Sequence, residues 1–143
     1  MNILQKAEHY HNQFTTTMRG KENIVVFKNE SPELQESMYR AHNDRLPADW
    51  IFNKYHEILG AITDYNIDTL GELEDKRSEI IDNLVDIYTS DLTAWLDSNN
   101  NNVYYLSEAM EEGSADDGFS LLALAQYKAI DEVFSEVYDL LTK

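Results

Sequence analysis

The chain has 143 residues, is 43% hydrophobic and 11% aromatic, and carries a formal net charge of −16. Its length suits one domain that buries roughly two thirds of its unfolded surface, and its apolar content is too high for a disordered acidic tail. It has no cysteine, so disulfide frameworks, thiolate metal sites and cysteine nucleophiles are excluded.

The charge is unevenly placed. Residues 1–63 hold seven Lys and Arg against eight Asp and Glu, for −1, whereas residues 64–143 hold four against nineteen, for −15. A field of this sign repels nucleic acid and anionic membranes and attracts basic surfaces. Direct nucleic-acid or membrane binding is therefore not expected. The N-terminal "MNILQKAEHYHNQF" lacks the basic segment and long apolar core of a secretory signal, and no apolar run reaches the length of a membrane span, so a cytoplasmic protein is expected.

Apolar residues recur at helical spacing through most of the chain, which predicts an all-α fold: a single helical domain over residues 1–143, a bundle of five to seven helices. A first helix is expected from Ile3 to about Thr16, with Leu4, Ala7, Tyr10, His11 and Phe14 on one side. "IVVF", Ile24 to Phe27, is β-branched and reads as a short strand or an extended arm; no partner strand is evident, which favours the arm. Ser31 and Pro32 form an N-cap and first helical residue for "PELQESMYRAH". Pro47 starts "PADWIFNKYHEILGAI", with Trp50, Ile51, Tyr55, Ile58, Leu59 and Ile62 on a broad apolar face.

The next helix, within "DTLGELEDKRSEIIDNLVD", is unusual. At about 100° per residue, Asp68, Glu72, Asp75, Glu79, Asp82 and Asp86 fall within roughly 80° of arc, opposite Leu70, Leu73, Ile80, Ile81, Leu84, Ile87 and Tyr88. Thr69 and Glu72 form a capping-box pattern that leaves Asp68 just outside and five carboxylates inside the helix. Asp91 would point into the apolar side, so a kink or a new N-cap is expected near Ser90. "SNNNN", Ser98 to Asn102, reads as a loop. A helix over "VYYLSEAMEE" should stop at Gly113, and after "SADDG" a last helix should cover "FSLLALAQYKAIDEVFSEVYDLL". In that helix Leu122, Ile130, Val133, Phe134, Val137, Leu140 and Leu141 face inward, with Asp131, Glu132, Glu136 and Asp139 outward.

A charged outer face ordinarily only keeps a helix soluble. Natural surface helices, however, mix the two signs, because opposite charges three or four residues apart stabilise by about 0.2–0.5 kcal/mol and like charges lose as much. Five like-charge steps would cost on the order of 1–2 kcal/mol, and Lys76 reads as the single offsetting cation. The carboxylates extend over roughly 27 Å at 1.5 Å per residue, with a spacing of the order of that between phosphates along a nucleic-acid strand. A basic groove built for DNA or RNA could accept such a ridge.

Catalytic motifs are scarce. "YHEIL" begins like the zinc-protease pattern H-E-x-x-H, but Gly60 occupies the second ligand position. Phosphate-cradling glycine motifs are absent. One constellation points to an enzyme: Glu108 and Glu111 in "EAME", with Glu136 and Asp139 in "EVYD", have spacings that resemble the all-α MazG and dUTPase pyrophosphatases. That resemblance implies Mg²⁺ held by carboxylates of adjacent helices against a nucleotide triphosphate.

The segments "RLPADWIFNKYHEIL", "LVDIYTSDLTAWL", "YYLSEAMEEG" and "LALAQYKAIDEVFSEVYDLL", spanning Leu46 to Leu141, together resemble small acidic helical proteins of phages and mobile elements. Some of those block restriction or CRISPR effectors. The resemblance transfers no site residue, but implies a non-enzymatic inhibitor without cofactor or metal whose partner is a basic nucleic-acid-binding protein of host defence. The residues expected at that contact, chosen from the helical pattern, are Glu72, Asp75, Glu79, Asp82 and Asp86, extended by Glu132, Glu136 and Asp139. A helical scaffold without mimicry remains an alternative, and a homodimer is compatible with either.

Overall fold

Asn2 starts the first helix: its side chain accepts from the Gln5 N–H at 2.8 Å, while the Gln5 side chain accepts from the Asn2 N–H at 3.1 Å. This reciprocal pair satisfies two of the donors that a helix start leaves open. The computed structural model describes residues 2–19, 22–27, 32–42, 48–85 and 121–143, and singly Leu92, Ala94, Trp95, Ser98, Tyr105, Glu108, Ala109 and Glu111. Helix α1 (Ile3–His11) ends before the expected Thr16. Thr15, Thr16 and Thr17 are β-branched and favour extended backbone. They lie in β1 (Phe14–Arg19), which pairs antiparallel with β2 (Glu22–Phe27), Phe14 opposite Phe27 and Arg19 opposite Glu22. The segment expected as an arm is thus the second strand of a hairpin, set against α3.

The all-α class holds for the body of the fold. Six helices are delineated among the described residues: α1, α2 (Pro32–His42), α3 (Ala48–Asp64), α4 (Leu70–Asp75), α5 (Arg77–Leu84) and α6 (Leu121–Thr142). Helices α3 and α6 form the centre, with α1 and α2 against both and α5 closing the side. The core joins Ile51, Tyr55, Ile58, Leu59 and Ile62 of α3 to Ile130, Val133, Phe134, Val137, Leu140 and Leu141 of α6. Leu34 and Met38 of α2 and Ala7 and Tyr10 of α1 fill the remaining sides. Alanines 123, 125 and 129 of α6 are also buried. Among the later residues, Tyr105, Glu108, Ala109 and Glu111 are helical, with Tyr105 and Ala109 buried. Ser98 is also helical, its hydroxyl donating to the Ala94 carbonyl at 2.8 Å, so the first residue of the expected loop is helical. The kink expected near Ser90 and the stop at Gly113 lie outside the described residues.

The ends of the helices show how they are tied together. Helix α3 stops through the Ile67 N–H donating to the Ile62 carbonyl at 3.0 Å and the Asn66 N–H to the Thr63 carbonyl at 3.1 Å, with Asn66 at φ 55. This is the Schellman arrangement, and after glycine Asn adopts its left-handed residue most readily. Neither α5 nor α6 has a basic residue in its last turn. Lysines of other helices serve instead: Lys54 Nζ donates to the Leu84 carbonyl at 3.0 Å, and Lys6 Nζ to the Leu141 carbonyl at 3.3 Å. Each places a cation at the negative end of a helix dipole while satisfying an open carbonyl.

Candidate functional site: the acidic face of α4 and α5

The acidic segment begins as its sequence suggests. Thr69 is the N-cap of α4, its hydroxyl accepting from the Glu72 N–H at 3.1 Å. The Glu72 carboxylate reaches back one residue further than in a standard capping box, accepting from the Asp68 N–H at 3.2 Å. Leu73, Ile80 and Ile81 are buried. Asp68, Glu72, Asp75, Glu79 and Asp82 are all exposed.

The expected single helix is instead two. Lys76, at φ −92 and ψ −1, is both the C-cap of α4 and the N-cap of α5. Restarting there puts Glu79 in the first turn of α5, where the dipole favours a carboxylate, but leaves Glu74 and Asp75 in the last turn of α4, where it does not. Helix α5 ends at Leu84, with Val85 extended at φ −69 and ψ 122. Four of the five carboxylates expected within the helix therefore lie on the two helices, and Asp86 falls outside the described residues.

Arg77 is the cation that the helical pattern did not single out. It occupies the position between Leu73 and Ile80 on the buried stripe, and its side chain is only 21% exposed. Nε donates to Asp131 Oδ1 at 2.7 Å, and Nη2 to the Asp131 carbonyl at 3.1 Å and Ser135 Oγ at 2.6 Å. The guanidinium also lies 4.7 Å from the Phe134 ring centroid, and Nη1 lies 3.3 Å from Glu74. Burial works against the charged form, but the bonds and field of Asp131 and then Glu74 outweigh it, leaving the pKa raised above its usual value. Arg77 thus fastens α5 to α6.

Other cations also find partners within the chain. Lys6 and Lys54 cap helices, Lys54 also pairing with Glu57 at 3.3 Å, and Arg40 pairs with Glu136 at 3.4 Å. On the acidic face Lys76 pairs with Glu79 at 3.1 Å. Among the described residues, neither Asp75 nor Asp82 pairs with a cation.

The three α6 acids expected to extend the face differ from one another. Asp139 is exposed. Glu132 is half-buried and accepts from the Tyr105 hydroxyl at 2.8 Å. Glu136 does not lie on the outward side: its side chain is 23% exposed and faces α2. There Ser37 donates to the Glu136 carbonyl at 3.2 Å and shares a hydrogen bond with the buried Tyr55 hydroxyl. Glu136 Oε2 is buried without a hydrogen bond, and its contact with Arg40 is an ion pair only. Burial raises the Glu136 pKa despite the opposing effect of Arg40. Glu132 and Glu136 are thus engaged within the fold, leaving Asp139 as the free carboxylate of the three.

The pyrophosphatase alternative names four acids. Glu108, Glu111, Glu136 and Asp139 are all described, yet among the described residues no three His or acidic side chains converge as metal ligands. His56 of "YHEIL" stacks on His11 at 4.1 Å and 14°, and Gly60 makes room for this pair, since a Cβ there would lie 3.2 Å from His11 Nε2. Rings stacked face to face do not aim their nitrogens at one ion. Burial, then the neighbouring His11, lowers the His56 pKa to about 4. Among the described residues, no helix is long and apolar enough to cross a membrane. No protein-family model, curated protein or solved structure matches the chain, so the reading of the site rests on its own geometry: an exposed face that is acidic except for Lys76, on a frame in which Lys54 and Arg77 are turned inward.

Proposed function

We propose that the protein is a non-enzymatic binding protein whose α4–α5 face occupies the nucleic-acid-binding surface of a basic partner. The observation that carries this reading is the pairing of Glu72, Asp75, Glu79 and Asp82, all exposed, with the use of Lys6, Lys54 and Arg77 to tie helices together within the fold. An acidic face offset by Lys76 alone among the described residues is unfavourable for the isolated chain and favourable against a Lys- and Arg-rich groove. The resemblance to small acidic phage proteins points to a host defence effector of the restriction or CRISPR type as that partner, and the protein would act by nucleic-acid mimicry in the cytoplasm.

Capture from a host lysate on immobilised protein tests this. A partner held by mimicry should elute with added salt and with added DNA or RNA, because both compete for the same charges. Glu79→Lys/Asp82→Lys should lose it, while Glu8→Lys/Glu36→Lys, on the near-neutral part, should keep it. A partner that withstands salt and remains bound together with nucleic acid would overturn the reading.

A further inference from the structure

Tyr65 is one of two large hydrophobic side chains exposed among the described residues, at 39%, and it belongs to the acidic face. The Schellman turn at Asn66 ends α3 and sets Tyr65 beside the α4–α5 junction. Asn83 Nδ2 donates to its hydroxyl at 3.0 Å, which ties the ring to α5. Over the ring, 5.9 Å from its centroid, lies Lys76 Nζ, which also contacts Glu79 Oε2 at 3.1 Å. An aromatic ring and a carboxylate therefore already hold a cation between them, supplied by the chain itself.

That resident cation is weakly held. A distance of 5.9 Å is at the outer limit of cation–π attraction. The Lys76 and Glu79 side chains are each about half exposed, so their pair is screened by solvent. A guanidinium suits the same place better. It is planar, less strongly hydrated than an ammonium, stacks on aromatic faces and bonds a carboxylate through two N–H groups.

We infer that Tyr65 and Glu79 form an arginine-binding spot in the acidic face, in which a partner's arginine displaces Lys76. This inference rests on the proposed binding role of that face and adds a preference that charge alone does not give. It predicts a partner surface that presents arginine, rather than lysine, opposite the α4–α5 junction.

Deca-arginine and deca-lysine peptides, equal in charge, test it by titration calorimetry at low and high salt. Polyarginine binds many anionic surfaces more tightly than polylysine, so the readout is the change in the arginine-to-lysine affinity ratio between variants. Tyr65→Leu should lower that ratio by about two- to fivefold, the range expected of an exposed cation–π contact, and leave deca-lysine affinity unchanged. Tyr65→Phe keeps the ring and should keep the ratio, although it loses the Asn83 bond. Circular dichroism and thermal melting of each variant establish that the fold is intact. An unaltered ratio in a folded Tyr65→Leu would overturn the arginine spot while leaving the acidic-face reading in place. Failure of both peptides to bind the unmodified protein would overturn both.

Discussion

Two regions of the molecule handle charge in opposite ways. Between α3, α5 and α6 each cation meets a defined partner: Lys54 the end of α5, Arg77 the Asp131 side chain and two oxygens of α6. Across the outer side of α4 and α5, Asp75 and Asp82 meet none among the described residues, and Lys76 reaches Glu79 and the edge of contact with the Tyr65 ring. The two arrangements share one segment, since Lys76 and Arg77 are adjacent yet point to different faces. A helix interface uses charge for geometry, because its donors and acceptors are fixed by packing. The outer face leaves charge unmatched, so its field extends into solvent towards a counterpart on another molecule.

The comparison is broken most severely at Arg77. Arg77→Met should destabilise the protein by about 2–3 kcal/mol, since it removes charge-assisted bonds and leaves Asp131 and Ser135 without their donor. Urea unfolding measures this, and a loss below a few tenths would mean that α5 is held by its apolar side chains alone. Lys54→Met keeps the stem but removes the bond to Leu84, and should cost about 1–2 kcal/mol. Amide exchange should then rise first near the C-terminal end of α5.

The inward use of charge was only partly legible in the sequence. Helices α3 and α6 were legible because their apolar stripes are long and unbroken, and the start of α4 because Thr69 and Glu72 carry the capping pattern in their own identities. Arg77 was not, although its place between Leu73 and Ile80 on the stripe was a signal: a cation at a core position requires an anion across the interface. Helical spacing puts Glu136 outward for a related reason. It borders the stripe of Val133, Val137 and Leu140, and periodicity does not say whether a border residue turns to solvent or to Arg40 of another helix. The hairpin is hidden in the sequence because Phe14 continues the helical face of Leu4, Ala7, Tyr10 and His11. The pairing with Glu22–Phe27 that decides otherwise is non-local. Of the acidic face, membership was legible from spacing, whereas the break at Lys76 and the presence of Tyr65 depended on how α3 ends.

The histidine pair sharpens the comparison by pH. Folded His56 stays neutral down to about 4, below its usual 6.5, whereas the unfolded chain is protonated from 6.5 downward. The unfolded state binds more protons in this window, so stability is full above pH 6.5 and falls as pH drops towards 4. Discounted for the partial exposure of the ring, the loss is on the order of 1 kcal/mol. Protonation of both rings would also bring two cations together at the 4.1 Å stack. Glu136, with its raised pKa, acts with the opposite sign, favouring the folded state as pH falls through its own titration. His56→Gln should flatten the decline between pH 6.5 and 4, measured by urea midpoints; an unchanged slope would place the acid sensitivity elsewhere.

The smallest stability effect, a gain, tests the central claim most directly. Asp75→Lys/Asp82→Lys replaces two unpaired carboxylates near the C-terminal ends of α4 and α5, where cations suit the dipole and neighbouring acids lie three or four residues away. Stability should rise by about 0.5–1 kcal/mol. Binding to deca-lysine at low salt should fall several-fold in the same variant, and the difference from the unmodified protein should shrink at high salt. Stability and binding that move in opposite directions would show that the face is kept acidic at a cost to the fold. Unchanged or lower stability together with retained binding would contradict that account and leave the α4–α5 carboxylates as an ordinary solvated surface.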